Sequence, residues 1–108
     1  MTTNPKSEIG LVGEPVRMSI NVYLSTGAIK QHIIALPPYK DQAFPVIDFY
    51  LKSIYAAVGR KIGCLILPDP SRAYNTSEIV LIEYDYLGPE EWKEGIKKLI
   101  KTPIGLKR

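Results

Sequence analysis

The segment that decides the fold is VRMSINVYL, at positions 16–24. Apolar side chains occupy every second position of this segment, and four other residues alternate with them: Arg17, Ser19, Asn21 and Tyr23. A strand with one buried and one open face has this period of two, because successive side chains point to opposite sides of a β-sheet. The segment therefore predicts a strand that covers a core with one face only.

The residues that follow predict a second strand and a helix. Ser25-Thr26-Gly27 suits a tight hairpin turn, because glycine tolerates positive φ. Residues 28–36 form an extended run, which Pro37-Pro38 ends since proline cannot donate a ladder hydrogen bond. In residues 45–58 apolar side chains recur every three or four positions, as in an amphipathic helix. Gly59 is the expected C′ residue of that helix.

The second half of the chain predicts two more strands and a second helix. Residues 62–67 are apolar on both faces, which is typical of an interior strand. Residues 68–77 form a long polar connection, and residues 78–86 alternate as a fourth strand. Gly88-Pro89-Glu90-Glu91 is typical of a helix start, because proline suits the first turn and carboxylates suit the positive end of the dipole. Pro103 is expected to end this helix.

The order ββαββα predicts an α+β fold: a two-layer sandwich with a mainly antiparallel four-stranded sheet and both helices on one face. A chain of 108 residues favours one domain, which we place at residues 16–103. Residues 1–15, rich in Gly and Pro, are predicted to be a flexible N-terminal arm, and residues 104–108 a basic C-terminal tail.

Composition restricts the chemistry of the chain. Cys64 is the single cysteine, which excludes an internal disulfide and a cysteine-based zinc cluster. His32 is the single histidine, so we assign no catalytic residue, metal or cofactor. We expect His32 to be a surface or half-buried strand residue and Cys64 a buried one. Neither a membrane-spanning run nor a signal peptide is visible, which favours a cytoplasmic protein without a membrane partner.

The open face of the sheet is the first candidate site. Tyrosine is enriched at protein interfaces, and the polar face of residues 16–24 carries Tyr23. We therefore expect a non-catalytic interaction module, homodimeric through this open face or through an edge strand. The residues assigned to the face are Arg17, Asn21, Tyr23, Lys30, Tyr84 and Tyr86.

Two alternatives remain open from the sequence. Residues 93–108 carry six basic side chains against Glu94 alone, so this end could bind nucleic-acid phosphates, with the Tyr/Arg/Lys sheet face stacking bases. The helix residues assigned to that alternative are Lys93, Lys97, Lys98 and Lys101. A small-molecule-binding domain or enzyme at the 68–77 connection would use Asp69, Arg72, Tyr74 and Asn75. Glu83 and Asp85 share one strand face, which fits an exposed surface or an incomplete metal or acid–base pair.

Overall fold

The fold is given by a computed structural model that describes residues 16–101, with side chains up to Ile100. The predicted arm at residues 1–15 and the predicted tail at residues 104–108 lie outside the described residues. The described elements, in chain order, are β1 (Arg17–Leu24), β2 (Ile29–Ala35), α1 (Lys40–Val58), β3 (Cys64–Leu67), β4 (Arg72–Asn75), a 3₁₀ turn (Thr76–Glu78), β5 (Ile79–Leu87) and α2 (Glu90–Lys101).

The predicted α+β class with antiparallel strands is confirmed, but the arrangement of the strands differs from the prediction. A three-stranded antiparallel sheet has the order β2-β1-β5, and β3 pairs with β4 in a separate hairpin. The observed order is ββαβββα, so the expected ββαββα order and single four-stranded sheet are not matched. The additional strand, β4, lies inside the segment that we predicted as a polar connection.

The β3–β4 hairpin alternates between buried and exposed residues. Leu65 and Leu67 of β3 are buried, whereas Ile66 between them is 70% exposed. The expectation of an interior strand, apolar on both faces, was therefore wrong, because only one side of the hairpin meets the core. Cys64 is likewise exposed, not buried as predicted.

The core lies between the three-stranded sheet and the two helices. Met18, Ile20 and Val22 of β1 are fully buried, as the alternating pattern predicts. The helices bury five large side chains against this layer: Ile47, Leu51 and Ile54 of α1, and Trp92 and Ile96 of α2. Full burial of each aliphatic side chain contributes about 1.5–3 kcal/mol relative to its exposed state.

The first helix begins earlier than predicted, and its left-handed cap residue lies one position later than predicted. α1 starts at Lys40, so Pro45 lies inside the helix. Gly59 has a φ of −80°, whereas Arg60 has a φ of +60° and occupies the left-handed C′ position. The N–H of Lys61 donates to the carbonyl of Ala56 at 2.8 Å, the hydrogen bond of a Schellman motif. Within residues 16–101, no helix is long and apolar enough to cross a membrane.

Candidate interaction surface

The face of the three-stranded sheet that points away from the helices consists of four rows of side chains. Directly paired residues of antiparallel strands share a face, so the register defines the rows. In the order β2–β1–β5 they are Ile29–Tyr23–Leu81, Gln31–Asn21–Glu83, Ile33–Ser19–Asp85 and Ala35–Arg17–Leu87. We call these twelve residues the outer face. The opposite, inner face carries the buried β1 residues and packs on the helices.

One end of the outer face is apolar and exposed. Ile29 is 57% exposed and Leu81 is 46% exposed, and Tyr23 lies between them in the same row. The Tyr23 hydroxyl donates a hydrogen bond of 2.8 Å to Oε1 of Glu83 in the next row. That hydrogen bond, followed by partial desolvation, raises the pKa of Tyr23 above its usual value. The row thus places two exposed apolar side chains on either side of a half-buried tyrosine, and exposed apolar groups that lie together are typical of interaction surfaces.

A polar groove lies beside the apolar row, between β1 and β5. It is open to solvent, has a volume of about 380 Å³, and its lining includes Ser19, Asn21, Glu83 and Asp85. Ser19 is only 8% exposed, and none of the side-chain hydrogen bonds found among residues 16–101 involves its hydroxyl. Two carboxylates and two neutral polar groups can together accept hydrogen bonds from a cationic group.

The carboxylates of this groove do not complete a metal site. Within the described residues, no group of three or more His, Cys, Asp or Glu side chains could hold a metal ion. Asp85 also uses one oxygen locally, because its Oδ1 accepts the N–H of Tyr86 at 2.8 Å. Glu83 and Asp85 are both exposed on the outer face.

Arg17 is the one cation of the outer face. Its row contributes only the apolar partners Ala35 and Leu87. Arg17 is half-buried, and its Nε atom is buried without a hydrogen-bond partner among the described residues. The outer face thus carries positive charge at one end of β1 and negative charge along β5.

Three residues assigned to the open face lie on the inner face instead. The register pairs Lys30 with Val22, Tyr84 with Ile20, and Tyr86 with Met18. Tyr86 is only 6% exposed, and the Tyr84 hydroxyl lies 3.2 Å from the hydroxyl of Tyr55 on α1. Only Arg17, Asn21 and Tyr23 of the predicted set share the outer face. Ser19 joins them by the alternation along β1, whereas the register is needed to place Ile29, Leu81 and Glu83 on the same face.

Burial also changes the acidity of the inner-face tyrosines. Desolvation, with the hydrogen bond to Tyr55, raises the pKa of Tyr84 to about 12. Desolvation raises the pKa of Tyr86 still further. Both phenols therefore stay neutral at pH values well above the usual pKa of tyrosine.

His32 is fully buried, in contrast to the expected surface or half-buried position. Its Nδ1 lies 2.8 Å from the carbonyl oxygen of Pro68, and its Nε2 lies 2.6 Å from the hydroxyl of Tyr74. A carbonyl can only accept, so Nδ1 donates to Pro68, and Nε2 forms the second hydrogen bond with the Tyr74 hydroxyl. Both ring nitrogens are thereby used to join β2 to the hairpin.

The residues of the predicted ligand loop do not converge on one site. Tyr74 is buried, and its hydroxyl forms a hydrogen bond with Nε2 of His32. The Asn75 side chain accepts hydrogen bonds from the N–H and the hydroxyl of Ser77, which caps the 3₁₀ turn. Asp69 and Arg72 are exposed. Tyr74 and Asn75, two of the four residues predicted for the ligand loop, thus form hydrogen bonds within the protein that hold the hairpin and the turn that follows it.

The lysines of the predicted basic helix differ in their surroundings. Lys93 lies 3.4 Å from Glu90 in an ion pair on α2. Lys97 and Lys98 are exposed. The side chain of Lys101 lies outside the described residues.

Comparisons with known proteins give no relative for this arrangement. A scan against protein-family models finds no match, and searches of curated proteins and of solved structures find none.

Proposed function

We propose that this protein is a non-catalytic interaction module that forms a homodimer through the outer face. The observation that carries the proposal is the exposed row Ile29–Tyr23–Leu81 on a sheet face that the two helices leave open. Burying such side chains against a second sheet is favourable by about 25 cal/mol per Å² of apolar surface removed from water. Stacked sheets are a common way to bury such a row, because side chains of the two faces can interdigitate.

Association through the face is better supported than association through a strand edge. An edge strand attracts partners by its unpaired N–H and C=O groups. On β5, the N–H of Tyr86 is already bonded to the Asp85 carboxylate. On β2, the N–H of Ile33 donates to the carbonyl of Asp69 at 3.2 Å. Each outer strand therefore has an edge donor occupied within the protomer.

The proposal is tested by measuring molar mass with size-exclusion chromatography and light scattering, from low to high micromolar protein. We expect the unmodified chain to be a dimer and Leu81→Asp to be a monomer with unchanged circular dichroism. Ile66→Asp is the matched control, because Ile66 is more exposed than Leu81 but lies on the hairpin. A monomeric parent chain, or equal loss of dimer in both variants, contradicts the proposal.

Binding of nucleic acid by α2 is the second candidate. It is favoured by the exposure of Lys97 and Lys98 on a helix that packs through Trp92 and Ile96. Phosphate contacts make affinity fall steeply with salt. We expect Lys97→Gln to weaken binding to a mixed oligonucleotide pool and to reduce its salt dependence. Lys52→Gln on the exposed side of α1 is the control, and equal effects of the two substitutions exclude α2 as the contact.

A further inference from the structure

The polar groove of the outer face offers hydrogen-bond acceptors that the protomer itself does not use. Oε1 of Glu83 accepts from Tyr23, and Oδ1 of Asp85 accepts from a backbone N–H. The second oxygen of each carboxylate accepts no hydrogen bond found among residues 16–101. Ser19 lines the same groove, and none of the side-chain hydrogen bonds found among residues 16–101 involves its hydroxyl. The two carboxylates are exposed, so a partner that supplies hydrogen-bond donors can reach these acceptors.

A guanidinium group fits these acceptors. It presents five N–H donors in a planar fork and pairs with carboxylates through two parallel hydrogen bonds. An ammonium group would offer three donors from one point and could serve fewer acceptors at once. The groove therefore favours an arginine side chain over a lysine.

The same face supplies an arginine that lacks acceptors. Arg17 is the one cation among the twelve outer-face residues, and its row offers only Ala35 and Leu87. Among the described residues no carboxylate forms an ion pair with Arg17, and its buried Nε has no hydrogen-bond partner. Asp85 lies only one row away. Donor and acceptor groups are therefore both present on one surface but are not joined within one protomer.

We infer that, in the dimer proposed above, Arg17 of each protomer enters the Ser19–Asn21–Glu83–Asp85 groove of the other. This inference rests on the proposed function and specifies the partner of the groove. In a two-fold dimer the same patch faces itself, so a donor and an acceptor at different places on that patch meet twice. The apolar row contributes buried area, and the two Arg17 contacts set the orientation.

A charge exchange tests the inference. In Arg17→Glu homodimers two carboxylates face two acidic grooves, and in Glu83→Arg homodimers two arginines face grooves with reduced negative charge. We expect the dissociation constant of each variant to rise by roughly thirtyfold or more, the effect of breaking an interfacial charge pair.

An equimolar mixture of the two variants restores both contacts. The glutamate introduced in one chain meets the arginine introduced in the other, and the Arg17 that remains meets an intact groove. The mixture is therefore expected to form a heterodimer of near-parental affinity, measured by analytical ultracentrifugation with one variant labelled.

Arg72→Glu is the control, because it reverses an exposed arginine outside the outer face and should leave association unchanged. Failure of the mixture to restore affinity, while the parent dimerises and Leu81→Asp abolishes the dimer, overturns this inference and leaves the proposed function standing. A monomeric parent chain overturns both. Circular dichroism of each variant identifies any change that comes from unfolding.

Discussion

At the scale of single residues, one buried imidazole joins the two separate β-structures. His32 uses Nδ1 for the Pro68 carbonyl and Nε2 for the Tyr74 hydroxyl, at 2.8 and 2.6 Å. The ring of Tyr74 also meets His32 edge-on, with ring centroids 5.7 Å apart. Because His32 is fully buried, water cannot replace either hydrogen bond. The pair therefore fixes the hairpin to β2.

Tyr74→Phe is expected to lower the free energy of unfolding by about 1–3 kcal/mol, since it leaves the buried Nε2 of His32 without a hydrogen-bond partner. Urea denaturation measures the change. Tyr55→Phe is the matched control: its hydrogen bond to Tyr84 is exposed and lies outside the outer face, and its loss should cost much less. If the two substitutions have the same effect, the hydrogen bond between His32 and Tyr74 does not stabilise the hairpin.

Arg60 is a second residue whose conformation has an energetic consequence. Its φ of +60° lies in the left-handed region, where a side chain is disfavoured and glycine is not. Arg60→Gly is expected to stabilise the protein by about 0.5–1 kcal/mol, after allowing for the greater entropy of glycine in the unfolded chain. Thermal unfolding checks this value. Lys61→Gly, one position later, should give no gain, and an equal gain there would refute the explanation.

At the scale of elements, regular patterns over many residues could be predicted and short or paired ones could not. β1 and the two helices followed from apolar periods of two and of three to four. β4 was not predicted because it has only four residues, RAYN. So short a segment contains too few alternations of apolar and polar side chains to distinguish a strand from a polar loop. Tyr74 is the residue of β4 that packs inward, and it does so by a hydrogen bond to His32, which is 42 positions away in the sequence. Contacts of that separation leave no local pattern.

The candidate surface was predicted only in part, because it depends on strand register. Arg17, Asn21 and Tyr23 followed from parity along one strand. Tyr84 and Tyr86 were assigned to the outer face for their chemistry, although they alternate with Glu83 and Asp85, which face outward. Parity within β5 therefore already separated the tyrosines from the carboxylates. Alternation along β5 does not show which of its two faces lies beside the open face of β1. That depends on how the two strands pair.

The junction between β5 and α2 depends on a glycine. Gly88 has a φ of +153°, and a Cβ atom added there would lie 2.9 Å from Cγ1 of Val16. Gly88→Ala is expected to lower stability by about 1–3 kcal/mol, because the core edge at Val16 must shift. Gly63→Ala is the control, since no atom lies within 4 Å of its added Cβ. Equal melting temperatures for the two variants would contradict this explanation.

At the scale of the whole molecule, phenols that folding removes partly or fully from water make stability depend on alkaline pH. Burial raises the pKa of Tyr50, Tyr74, Tyr84 and Tyr86 above the usual value of 10.0, and that of Tyr84 to about 12. A raised pKa means that folding favours the neutral phenol, so this stabilisation is complete below pH 10. It is lost as pH rises from 10 through about 12, where phenols ionise in the unfolded chain but not in the folded one. We expect the urea midpoint of the unmodified protein to fall across that window. The midpoint of Tyr84→Phe should fall less steeply, because the variant has one such phenol fewer. A midpoint that stays constant up to pH 12 would show that the inner-face tyrosines are accessible to solvent.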